Sequence, residues 1–166
     1  EYLAGMSDEE FTDKIMVPEL VEAGLMAEGD RSRDWLVTLA SVVRPRTKHL
    51  GDVAGICSMV FATAETLGYE EKAVSKGLAK EGMADVLAAA STALEGVSEQ
   101  SWSAEAIDAA LEELPEKLDV KKRLVFQAIR AAVCGNLVSP PLGVVIELVG
   151  KADALARIER AKGMAL

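Results

Sequence analysis

One histidine, two cysteines and five prolines stand among the 166 residues, and aromatic residues make up 4% of the chain. The single His49 has no Ser, Cys or acid that its spacing pairs with it, so no nucleophile–base constellation is legible. Cys57 and Cys134 lie far apart among apolar neighbours and read as buried, reduced thiols rather than metal ligands. A thiolate metal cluster needs more ligands than two cysteines and one histidine supply. No Gly-rich phosphate loop is present, because Gly51-Asp52-Val53-Ala54-Gly55 lacks the Lys-Ser/Thr ending and a preceding strand. Runs of 18 or more uncharged apolar residues are absent too, so no helical membrane span is expected. Cations are the minority, 18 Lys and Arg against 27 Asp and Glu, for a formal net charge of −9. A uniformly basic nucleic-acid module is thereby excluded, and any RNA contact must come from local basic patches. The chain opens Glu1-Tyr2-Leu3 with acids close behind, unlike a signal peptide. The lack of an initiator Met points to a piece of something longer, in the cytoplasm.

Half of the residues are apolar and 27% are charged, the balance of a folded domain. Ala, Leu, Glu and Lys dominate, which favours helix, and no apolar–polar alternation long enough for a half-buried strand is found. Ser7 and Glu10 have capping-box spacing before Phe11, Ile15 and Leu20, with Pro18 breaking or bending that segment and Gly24 ending it. Asp30 or Ser32 caps a helix through Val43, and Arg44-Pro45-Arg46 follows at its end. Further helices are expected over 52–62, 69–80, 83–94, 103–114, 119–133, 141–150 and 153–161. In this scheme Pro115 stops the sixth, Asp119 caps the seventh, and Pro141 opens the eighth. The small, polar stretch 96–101 reads as a junction, giving subdomains 1–97 and 98–166. The expected fold is all-α, about nine helices in two packed bundles.

Positive charge is segregated. Residues 44–49 hold Arg44, Arg46 and Lys48 and no acid. Residues 119–130 hold Lys121, Lys122, Arg123 and Arg130 against one acid. These spots either contact RNA phosphates and bases or are solvated helix ends that complement the dipole. The adjacent pairs Glu9-Glu10 and Glu112-Glu113 read as solvated faces, since neighbouring helical positions point to different sides. Trp35 and Trp102 read as packing anchors.

From Arg130 the chain runs Arg-Ala-Ala-Val-Cys-Gly-Asn-Leu-Val-Ser-Pro-Pro-Leu-Gly, then Leu148-Val149-Gly150-Lys151 and Leu155-Ala156-Arg157-Ile158. This resembles the C-terminal anticodon-binding region of bacterial glutamyl-tRNA synthetase, a class I enzyme. Trp102-Ser103, Arg44-Pro45-Arg46 and Pro18-Glu19-Leu20 resemble family segments in the same order. The resemblance implies an all-helical cage of two subdomains that grips the anticodon arm of the glutamate tRNA. It implies that Arg46 inspects the first anticodon base, with Arg44 the alternative if the register slips. Arg130, Ser139 and Leu142 would hold the other two, Leu142 by apolar support of a splayed base, and Lys121 adds to the basic patch. Gly143 stands where the family usually has Phe, and Cys134 where it usually has Thr. No catalytic residue, metal ligand or cofactor site is expected in this chain. ATP and magnesium would belong to a catalytic domain of the same parent chain, which would be a partner of this monomeric module. The anticodon region of a class I lysyl-tRNA synthetase, and a helical protein-interaction module without RNA, are the competing readings.

Overall fold

The computed structural model describes residues 2–3 and 5–166. Among the described residues every regular element is helical, as expected. The chain forms two compact units, Glu1–Phe61 and Ala62–Leu166.

The first unit begins with α1 (Asp8–Phe11), a π-helical turn (Thr12–Met16) and α2 (Val17–Glu22). The capping box is present, with Ser7 accepting from the Glu10 amide and Glu10 accepting from the Ser7 amide. Pro18 neither breaks nor ends this run. It lacks the N–H and crowds the carbonyl four residues back, and the wider π turn just before it shifts the bonding register, with Val17 N donating to Thr12 O. Gly24 at φ 74 closes α2, and Leu25 N donates to Leu20 O in a Schellman closure. Ser32, not Asp30, caps α3 (Arg33–Val43). Asp30 instead accepts from Ala27 N within the preceding turn. The 3-10 turn Arg44–Arg46 and α4 (Asp52–Phe61) complete the unit. Its core is Phe11, Met16, Leu20, Leu39, Val43, Val53 and Cys57, all fully buried. Trp35 meets Phe61 edge-on at 5.4 Å, with the Arg31 guanidinium over both rings, so this tryptophan is a packing anchor.

The second unit holds α5 (Glu71–Ala73) with a following π-helical turn (Val74–Leu78), α6 (Met83–Glu95), α7 (Ala104–Glu112) and α8 (Leu114–Leu118). Then come α9 (Lys122–Cys134), α10 (Leu142–Val149) and α11 (Lys151–Lys162). The division lies at 61–62, not at the expected 97–98. The reason is α6. Its face of Met83, Val86, Leu87, Ala90 and Leu94 is buried against α11 and α9, so it shares their core. Lys151 donates to the carbonyls of Glu95 and Val97 at 3.0 and 2.6 Å, which fastens the end of α6. The small polar stretch after it is therefore a tight turn, closed by Ser98 accepting from Ser101 N.

Pro115 does not stop a helix but sits in the first turn of α8, where its missing N–H has no helical acceptor to lose. Asp119 does not start α9. It ends α8 at φ 51, the left-handed conformation that Asp tolerates better than most residues. Lys121 precedes α9 instead. Pro141 likewise stands one position before α10, at its N-cap.

Candidate nucleic-acid interface

The sequence-predicted residues of the second unit gather around the turn between α9 and α10. Gly135 ends α9 at φ 69 and reverses the chain. The last carbonyls of a helix lack intrahelical donors and must find others. Here Ala132 O accepts from the Tyr69 hydroxyl at 2.7 Å, and Val133 O from Arg157 Nη1 at 2.8 Å. Gly135 O accepts from Glu70 N at 2.9 Å. The exit of α9 is thus held from below by three separate donors.

Arg157 does more than that. Its side chain is fully buried, Nε donates to Asp153 Oδ2 at 2.8 Å, and Nη2 donates to the Ala62 carbonyl. Asp153 Oδ1 accepts from Ala64 N at 3.1 Å. The planar guanidinium reaches its three acceptors from three different nitrogens, a spread that the single ammonium nitrogen of a lysine does not cover. Neighbouring Arg160 lies over the Tyr69 ring at 4.9 Å and donates to Ala64 O and Leu67 O. The expected Leu-x-Arg motif therefore ties the 62–70 segment to α9 and α11.

On this base the turn brings Arg130 and Ser139 together. Arg130 Nε donates to Ser139 Oγ at 2.9 Å, and that hydroxyl donates onward to Pro140 O at 2.8 Å. Among the described residues no carboxylate pairs with Arg130. Its two terminal nitrogens keep their donors, in a half-buried setting where a planar fork binds base edges or phosphates well. Burial pushes the Cys134 thiol up, opposed by the Ser139 hydroxyl and the charge of Arg130. Burial alone pushes Cys57 up to about 12. Both thiols are free and buried, as expected.

Leu142 does not sit as expected. It is 5% exposed and belongs to the core, so it supports the turn from inside rather than offering a surface to a base. Gly143 is buried against the Asp108 carboxylate, which occupies the space a Cβ would need. Desolvation first, then Glu112 and Glu105, push the Asp108 carboxyl up.

Lys121, Lys122 and Arg123 are exposed at the start of α9, whose first turn contains no acid. A helix start carries partial positive charge, so three cations there oppose the dipole. The dipole-complementing part of the helix-end explanation therefore does not apply to this patch, whose three side chains are solvated. Lys122 recovers part of the cost from Glu112 at 3.3 Å, in a pair more than half exposed.

In the first unit, Arg44 and Arg46 share the 3-10 turn that ends α3. Arg44 Nε pairs with Asp8 Oδ1 at 2.9 Å, with both side chains largely covered, and so joins α3 to α1. Arg46 is exposed, and Nη1 donates back to Val42 O at 3.1 Å. Of the two, Arg46 offers its guanidinium to a ligand. His49 lies on the exposed loop, where its amide and that of Lys48 donate to Asp52 Oδ2. Those two bonds, then the nearby His49 and Lys48 charges, hold the Asp52 carboxyl below its usual range.

Tyr69 and Val138 carry no signal in the sequence, and Arg157 is marked there only as part of the Leu-x-Arg motif. Tyr69 and Arg157 give no local signal of their long-range partners. Val138 stands in the same turn as Ser139, and its 82% exposure is visible only in the fold. Among the described residues no His, Cys, Asp or Glu group could hold a metal ion, and no helix is long and apolar enough to cross a membrane.

Comparison with known proteins gives the family and the fold. The sequence profile of the anticodon binding domain family matches residues 12–162. The glutamate–tRNA ligase of Leifsonia xyli subsp. xyli is 39% identical over 147 residues, 87% of this chain and 30% of that protein. That of Corynebacterium diphtheriae is 43% identical over 120 residues, 72% of this chain and 24% of that protein. The chain thus spans under a third of the length of these relatives. The crystal structure of a glutamate tRNA ligase from Elizabethkingia meningosepticum superposes with a TM-score of 0.83, at 21% identity, over 98% of this chain and 30% of that one. That likeness confirms the all-helical fold.

Proposed function

The chain belongs to the anticodon binding domain family, and from that premise we propose that it reads the anticodon arm of the glutamate tRNA for a longer glutamate–tRNA ligase. The glutamate–tRNA ligases among its relatives support the choice of tRNA. The observation that carries the reading is the Arg130–Ser139 pair, held rigidly at the exit of α9 with two guanidinium nitrogens left to donate. Sequence-specific RNA recognition targets unstacked loop bases through fixed donors of this kind. Lys121 and its neighbours supply the phosphate contacts that orient the arm, and Arg46 contributes the base contact of the first unit. The chemistry of ligation, with its ATP and magnesium, belongs to the rest of the parent protein, which works as a monomer in the cytoplasm.

Arg130→Ala is expected to cost about 1–3 kcal/mol in binding the glutamate tRNA, the worth of a good base-reading contact. Wild-type affinity should also fall steeply with added salt as phosphates release counterions. Filter binding at two salt concentrations checks both. Salt-independent binding, or none, would favour a protein-interaction module instead. An unchanged affinity with a lowered melting temperature would make Arg130 a purely structural residue.

Arg46→Gln is expected to reduce the preference for the glutamate tRNA over the glutamine tRNA, because a neutral amide is a more permissive neighbour for a base than a cation. Arg44→Gln is the control: it breaks the pair with Asp8 and should lower stability without changing that preference. Competition binding with the two tRNAs separates the outcomes. Equal discrimination in wild type and both variants would remove this turn from anticodon reading.

A further inference from the structure

We propose that Val138 is a specificity-supporting contact of the same interface: an apolar ledge against which one unstacked anticodon base rests. The inference depends on the anticodon-binding reading above. Val138 is 82% exposed, the most exposed large apolar side chain among the described residues. An exposed valine on a loose loop would mean little, since single surface apolar residues are common. This one is on a turn held by hydrogen bonds at Gly135, Asn136, Val138 and Ser139. Val138 N donates to Asn136 Oδ1 at 3.1 Å, and Asn136 Nδ2 donates to Glu70 Oε1 at 3.2 Å. Glu70 N holds Gly135 O on one side, and Arg130 holds Ser139 Oγ on the other.

The side chain is therefore presented outward, one residue from the hydroxyl that Arg130 engages. It is β-branched, so its χ1 is stiff and little rotamer freedom is lost on contact. Such a ledge suits the flat face of a nucleobase, while the Arg130 fork addresses an edge or a phosphate. The neighbouring polar groups are already engaged, Ser139 with Arg130 and Pro140 O and Asn136 with Glu70 and Val138 N, which leaves Val138 as the surface that gains from being covered. Leu142, expected to play this part, is buried and cannot.

A cycle of substitutions on both partners tests the proposal. The full chain, wild type and Val138→Ala, is titrated with a synthetic anticodon stem-loop of the glutamate tRNA. The titrations are repeated with stem-loops carrying an abasic nucleotide at each anticodon position in turn. Val138→Ala is expected to weaken binding of the intact hairpin about five-fold, from the loss of two methyl contacts. That loss should vanish against one abasic hairpin and persist against the others. Melting temperatures of the two proteins should coincide, since the side chain is exposed. Equal affinities of wild type and variant for the intact hairpin would overturn the role of Val138 while leaving the anticodon reading in place. A five-fold loss that persists against every abasic hairpin would overturn the base contact. Failure of the wild type to bind any hairpin overturns both.

Discussion

Arg157→Leu is expected to destabilise the second unit by about 3–5 kcal/mol, the usual cost of removing one partner of a buried, hydrogen-bonded ion pair. Leucine fits the apolar part of the space but leaves Ala62 O, Val133 O and one oxygen of Asp153 without their donors. Each orphaned acceptor carries its own desolvation penalty. For a chain of this size the melting temperature should fall by on the order of 10 °C. Arg157→Lys separates charge from geometry. It keeps the cation but cannot span three acceptors, so it should recover only part of the loss. A leucine variant that melts within about 1 °C of wild type would show that water satisfies those acceptors, and that Arg157 is not the strut described above. Because Val133 O lies at the exit of α9, the same variant should also weaken RNA binding at temperatures where it remains folded.

What the sequence made legible follows from how local each cause is. The caps Ser7, Ser32 and Ser103 act over three residues, and all three accept the bonds their spacing implies. The resemblance singles out Arg130 and Ser139 separately as base contacts but not their mutual hydrogen bond, which a turn closed by Gly135 makes possible. Pro18 does not break its segment and Pro115 does not stop one, because a proline reports only its own missing donor. Whether that ends a helix, shifts it through a π turn or starts a new one depends on the neighbouring register. The 97–98 boundary failed for a different reason. Residues 96–101 have linker composition, but composition does not reveal that the apolar face of α6 is covered by α9 and α11. Leu142 and Val138 illustrate the same limit within a single turn. Both are apolar, and only the path of the chain puts one in the core and the other in solvent.

Gly135→Ala is the sharpest test that the path of this turn, and not merely its residue types, makes the site. Two costs add. At φ 69 an alanine is held in the left-handed region, worth about 1–2 kcal/mol against L residues. A Cβ there would also run into the carbonyl of Gly68, with the Gly68 carbonyl carbon at 3.1 Å and Tyr69 Cα at 3.5 Å. These are backbone atoms, so no rotamer change relieves the overlap, and overpacking of this kind costs a further 1–3 kcal/mol or so. The expected total is about 2–5 kcal/mol. Gly24→Ala isolates the first cost, because Gly24 has a similar φ of 74 and nothing within 4 Å of its would-be Cβ. It should lose only about 1–2 kcal/mol. If the two variants lose the same stability, the 68–70 segment yields freely and the close approach is unimportant. If Gly135→Ala loses more, as expected, the strain falls where Glu70 N holds Gly135 O and where the Glu70 carboxylate holds Asn136. Pushing that segment away loosens the turn that carries Val138 and Ser139. The Gly135 variant should therefore lose RNA affinity even when fully folded, whereas the Gly24 variant, altered at the end of α2, should bind as wild type does.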